Sequence, residues 1–291
     1  MSPVKSGSPE GETLRLPGSR EKRMLLFFGA CLAASLLVTG ASLLDRGLGF
    51  PAVSAAVRLG IAAFAYGLSK RCGFPAAEGR PAAFYLFLCL IPLIYTVLAY
   101  LGPFSGSADV PALISAVVSA LSAALWEEAV FRHWGRPLFE ENGQYRSGDF
   151  LFTALVFGAM HLVNLISQPA DAVFLQAMFA VVTALFLQAV YAGSGSLRLI
   201  IGFHFLTDLA VVLLTEIWVT DPAARCIPLL SAAAPIVLGL YYALCAAVIV
   251  RRKELIKPSK LSSFLHGKKD GKASRPGQKP AERRRATRGG R

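Results

Sequence analysis

The chain has 291 residues, 54% of them hydrophobic and 16% charged, with a mean hydropathy of +0.52. That balance excludes an ordinary soluble domain and points to an all-α, polytopic membrane protein. The net charge of +12 does not mark a nucleic-acid binder, because 15 of the 30 Lys and Arg residues lie between Arg251 and Arg291, beyond the last apolar run.

Residues 1–23 are polar and rich in Gly, Ser and Pro, and are expected to form a cytoplasmic N-terminal segment. The apolar run from Met24 to Leu44 is too long for a signal-peptide core and lacks a small-residue cleavage site, so it reads as a retained span. Further spans are expected at Pro51 to Leu68, Pro81 to Leu101, Val110 to His133, Phe150 to Ile166, Ala172 to Tyr191, Leu197 to Val219 and Ile227 to Val250. This gives about eight transmembrane helices within residues 24–250, each near the roughly 20 residues that a crossing requires. Residues 251–291 form a basic tail with Gly, Ser and Pro between its charges. This composition predicts disorder and contact with anionic lipid headgroups, not with nucleic acid. The five cysteines, Cys31, Cys72, Cys89, Cys226 and Cys245, have no CxxC spacing and read as small core residues.

Lys and Arg placement orients the spans. With the N-terminus inside, inside segments carry five, three, three, one and 15 of them; Arg46 and Arg225 lie outside, and Arg58 lies within the second span. An integral protein of a bacterial plasma membrane with both termini in the cytoplasm is therefore expected.

Ionisable groups inside spans default to functional candidates because they are costly there. They are Glu127, Glu128 and Arg132 on the fourth span, His161 on the fifth, and His204 and Asp208 on the seventh. Glu216, near the end of the seventh, reads as a headgroup contact, and His133 as an interfacial residue. A rise of about 1.5 Å per residue puts Glu127, His161 and His204 at compatible depths, in one layer toward the inner half of the membrane. Neighbouring side chains diverge by about 100° on a helix, so Glu127 and Glu128 cannot serve one cavity equally. Glu128 and Arg132 form a favourable i,i+4 pair, which leaves Glu127 freer to work. Ser115, Ser119 and Ala123 make a small-residue stripe suited to close packing of spans. His204 and Asp208 also share a face at i,i+4. The set fits a metal site, a general base acting on water, or the ion- or partner-binding cluster of a transporter or immunity protein.

The motifs then carry a resemblance. Glu127-Glu128-Ala129-Val130-Phe131-Arg132 matches EExxxR, Phe157-Gly158-Ala159-Met160-His161 matches FxxxH, and His204-Phe205-Leu206-Thr207-Asp208 matches HxxxN or HxxxD. In this order, over residues 110–215, they resemble the CAAX-protease and bacteriocin-processing intramembrane proteases, the CPBP or Abi family. The resemblance implies an eight-helix endopeptidase acting on a membrane-associated peptide or protein. Glu127, with help from His161, would activate water, and His204 and Asp208 would support the oxyanion. An ionised Asp cannot donate to an oxyanion as Asn can, so Asp208 is expected to orient His204. A metal-free, glutamic-type site is expected. Zinc held by Glu127, His161, His204 and Asp208 is the alternative. The natural substrate, whether a prenylated tail, a signal or bacteriocin peptide, or a C-terminal sorting signal, is left open.

Overall fold

The computed structural model describes residues 18–72, 83–100, 109–139, 147–214 and 228–251. The 1–17 segment, Glu216, Cys226 and nearly all of the basic tail lie outside these residues. The described residues form eight helical rods and contain no extended strand, giving an all-α polytopic membrane protein.

Helix α1, Arg20–Leu48, starts earlier than its apolar run because the Ser19 hydroxyl accepts the Lys22 N–H and caps the charged first turn. It ends at Gly49, whose φ of 66° is the left-handed conformation that favours glycine. Asp45 then accepts the N–H groups of Val53 and Ser54 at 2.8 and 2.9 Å, capping α2, Ala52–Arg71, and closing the hairpin. Helix α3, Ala83–Tyr100, contains Pro92. Asp109 caps α4, Val110–Phe139, by accepting the Ala112 N–H at 2.8 Å. Helix α5, Ser147–His161, tightens into a 3₁₀ segment over Leu162–Ile166. Next come α6, Ala170–Ser194, α7, Leu197–Val212, and α8, Pro228–Arg251.

Seven of these helices are long and apolar enough to cross a bilayer. The eighth, α7, has 16 residues, and the part of its expected span beyond Leu214 lies outside the described residues. Large apolar side chains such as Phe64, Phe87, Met178 and Leu240 are exposed on the outer surface, as lipid-facing residues are. The most extensive packing joins α5 with α6 and α6 with α8, while α4 packs against both α2 and α7.

Two features position the polar residues. Helix α4 is α-helical over Val110–Glu128, opens into a π-helical turn over Ala129–Trp134, and closes again over Gly135–Phe139. All six residues of that turn are buried, and the fully buried Phe27 of α1 packs its ring 5.8 Å from Phe131, 5.9 Å from Trp134 and 5.4 Å from Phe139. The wide turn directly follows the two glutamates, a position typical of π segments at working sites. The second feature is Gly158, where a Cβ would lie 2.8 Å from the Ala177 carbonyl oxygen; only glycine lets α5 approach the α6 backbone so closely.

Candidate active site

The three motifs meet because α4 packs on α7 and the Phe of the second motif reaches α4. Glu128 is fully buried, and its Oε1 accepts a hydrogen bond from Arg132 Nη1 at 3.0 Å and one from His204 Nδ1 at 2.8 Å. A buried carboxylate is tolerated when paired and hydrogen-bonded, and this one is held from its own helix and from α7 at once. Glu127 points elsewhere. Its side chain is 14% exposed, with Oε2 3.7 Å from His204 Nε2. On the same side of the ring, Asp208 Oδ2 lies 3.4 Å from Nε2, and the Asp208 side chain is 40% exposed.

His204 is thus surrounded by three carboxylates, one at Nδ1 and two near Nε2. Carboxylate oxygens only accept, so the ring is arranged to donate from both nitrogens. The i,i+4 pattern between Glu128 and Arg132 is present as expected. The tighter hold on His204 comes from Glu128 and not, as expected, from Asp208, because Glu128 approaches across the α4–α7 interface at hydrogen-bond distance. The sequence holds no local signal for that contact, whose partners are 76 positions apart.

The spacing of the second motif has a physical reason. His161 Nδ1 lies 2.9 Å from the Phe157 carbonyl oxygen, which can only accept, so the proton sits on Nδ1 and the Nε2 lone pair is free to face the site. The Phe157 ring meanwhile lies under the Arg132 guanidinium at 4.7 Å and edge-to-face against Phe131 at 4.8 Å. One residue therefore sets a histidine tautomer with its backbone and supports the first motif's arginine with its ring. Glu127 senses the charge of His161 as well as those of His204, Asp208 and Glu128, which ties all three motifs to one electrostatic neighbourhood.

Two expectations change. His133 is buried and stacks on Tyr66 at 4.9 Å, because the π turn packs against α2; it is not an interfacial residue. Ser115 and Ser119 do not form a close-packing stripe: both line a cavity in front of α2. Arg58, which the sequence marks only as a charge inside the second span, reaches from α2 to α4 and donates to the Ser119 carbonyl oxygen and the Ser122 hydroxyl, both at 3.3 Å.

For zinc, at least three donors must converge with free lone pairs. Among the described residues no three His, Cys, Asp or Glu side chains group in a way that would hold a metal ion, and His204 commits Nδ1 to Glu128. The donor set as arranged does not fit that ion.

A helical membrane bundle with a partly exposed glutamate beside two histidines has the parts of a hydrolase that works within the bilayer. Residues 109–210 match the family model described as Type II CAAX prenyl endopeptidase Rce1-like, and this stretch contains Glu127, Glu128, Arg132, His161, His204 and Asp208. The resemblance to the CAAX-protease and bacteriocin-processing family is thereby borne out, and the match supports an intramembrane endopeptidase of the CAAX type with a membrane-associated substrate. No match was found among the curated proteins or among the solved structures.

Proposed function

We propose that this protein hydrolyses a peptide bond in a lipidated or otherwise membrane-associated protein, using water activated by Glu127. The observation that carries the reading is the hold on His204. Its Nδ1 is 2.8 Å from the ion-paired Glu128, so Nε2 is aimed at the space it shares with Glu127. A ring fixed this way is a preorganised donor for a developing oxyanion.

In this mechanism Glu127 takes a proton from water as the water oxygen bonds to the peptide carbonyl carbon. His161 presents its Nε2 lone pair to the same water. The carbonyl oxygen becomes an oxyanion and accepts from His204 Nε2–H, on the side of the ring where the more exposed Asp208 now stands. The proton on Glu127 passes to the departing amine nitrogen as the C–N bond breaks. Glu128, Arg132 and Phe157 position these groups without touching substrate.

The family's description names CAAX prenyl substrates, and a peptide carrying a lipid-modified cysteine near its C-terminus is the substrate class we infer. We also infer that both termini face the cytoplasm, on the strength of the Lys and Arg distribution. The test uses purified protein in detergent and a membrane-tethered peptide. Cleavage is expected, and Glu127→Gln should abolish it without loss of expression or thermal stability. Unchanged cleavage by that variant would remove Glu127 from the mechanism, and a natural substrate would follow from comparing membrane peptides made with the wild type and with Glu127→Gln.

A further inference from the structure

Beside the catalytic layer, toward the α1–α2 hairpin, lies a cavity of about 370 Å³ whose polar lining includes Ser42, Asp45, Ser54, Arg58, Ser115 and Ser119. Four hydroxyls and a guanidinium are an unusual lining between apolar helices, where an ionised side chain is costly unless it is compensated. The compensation Arg58 receives is thin. Its two hydrogen bonds leave from one nitrogen, Nη1, reach neutral oxygens, and at 3.3 Å are long. Its Nε is buried without a hydrogen-bond partner, and among the described residues no carboxylate pairs with it at ion-pair distance. Asp45 is close enough to act on its charge, but the Asp45 oxygens already accept the Val53 and Ser54 N–H groups at the start of α2. An arginine left like this in a hydroxyl-lined cavity is equipped for an anion that arrives from elsewhere.

Its distance from the catalytic layer identifies the anion. Arg58 bonds α4 at Ser119 and Ser122, eight and five positions before Glu127. Along a helix those separations are roughly 12 and 7.5 Å. An extended peptide advances about 3.3 Å per residue, so a chain whose scissile carbonyl stands at Glu127 reaches Arg58 after about two to four more residues. Arg58 also acts electrostatically on both Glu127 and Asp208, which places it over the same site.

Building on the hydrolytic reading above, we propose that Arg58 and the serine-lined cavity bind the free α-carboxylate of the substrate's C-terminus, and so set the cut two to four residues from the chain end. The guanidinium fork matches a carboxylate bidentately, and Nε, unused at present, is one tine of that fork. Ser115 and Ser119 supply hydroxyls beside it. Arg58 is thus a specificity residue, distinct from the groups that activate water.

The test reads binding, so that it does not depend on turnover. Full-length protein carrying Glu127→Gln, in detergent, is titrated with a fluorescent peptide that has a farnesylated cysteine, three further residues and a free carboxylate, and with its C-terminal amide. The amide should bind about 10-fold to 100-fold more weakly, the range of one charge-assisted contact. Adding Arg58→Gln should erase the difference, and Arg58→Lys should retain part of it. A peptide with eight residues after the cysteine should bind no better than the amide. Equal binding of acid and amide to the Arg58-containing protein overturns the proposal, as does failure of both to bind, and neither result depends on the folding of a variant at Arg58. Competition by phosphatidylglycerol that weakens acid and amide alike would assign the cavity to a lipid headgroup and also overturn it. If the acid is preferred but the wild type cuts neither peptide, the hydrolytic reading falls and the carboxylate site stands.

Discussion

The two glutamates of α4 are neighbours in sequence and opposites in environment. Glu128 is sealed, with Arg132, His204 Nδ1 and, through Arg132, the Phe157 ring closing around it. Glu127 is loosely held, partly exposed, and has only His204 Nε2 within 4 Å as a charged neighbour. A sealed carboxylate is a fixed charge that orients others, because moving it would strand a buried ion. A loosely held one can exchange protons with water. The site is therefore divided into a rigid face and a working face by the 100° step between adjacent helix positions.

The largest expected effect breaks the working face. Glu127→Gln keeps size and removes the base, so turnover should fall by roughly 100-fold to 10,000-fold with an unchanged melting temperature. Arg132→Leu attacks the rigid face instead. It leaves Glu128 buried and charged without its cation, which should cost about 3 to 5 kcal/mol of stability. Adding Glu128→Gln to that variant should recover part of the loss, since the orphaned charge is then gone; a double variant less stable than either single would show that the pair is held by something other than charge.

A smaller effect tests the scaffold behind both faces. Gly158→Val puts a branched side chain where a Cβ already meets the Ala177 carbonyl oxygen at 2.8 Å, and backbone cannot give way as a side-chain tip can. Thermal unfolding in detergent should report a loss of about 1 to 3 kcal/mol, with activity falling because α5 carries His161. Unaltered stability would mean that α5 and α6 can separate without disturbing the site.

Much of this division was legible in the sequence. The i,i+4 spacing gave the Glu128–Arg132 pair, and the rise per residue gave a common layer for Glu127, His161 and His204, because both follow from helix geometry alone. The hold of Glu128 on His204 was not legible, since it depends on which faces α4 and α7 turn to each other. The π turn was equally hidden: nothing in Ala129-Val130-Phe131-Arg132-His133-Trp134 marks a widened helix, yet it carries His133 into the core against Tyr66. Arg58 illustrates the reverse case. Its position in a span was plain, but its meaning needed the cavity, which is formed by residues from three helices.

The smallest expected effect concerns Asp208, the member of the set shared least by the two faces. It stands 3.4 Å from His204 Nε2 but is 40% exposed, while Glu128 holds the other ring nitrogen at 2.8 Å. Because Glu128 already fixes the ring, Asp208→Asn should change turnover only a few-fold, the amide being able to contact the ring or donate to the oxyanion. Asp208→Ala should cost no more than roughly 10-fold, less than the roughly 100-fold to 1000-fold expected when an oxyanion donor itself is lost. His204→Ala should reach that larger range. The same comparison bears on metal: a zinc ligand at Asp208 would make the Asn and Ala variants bind zinc more weakly, and prolonged chelation would stop the wild type until zinc was returned. Activity is expected to survive chelation. A loss that zinc alone reverses, joined to a large defect in Asp208→Asn, would move Asp208 from the margin of the site to its centre and replace the glutamic mechanism.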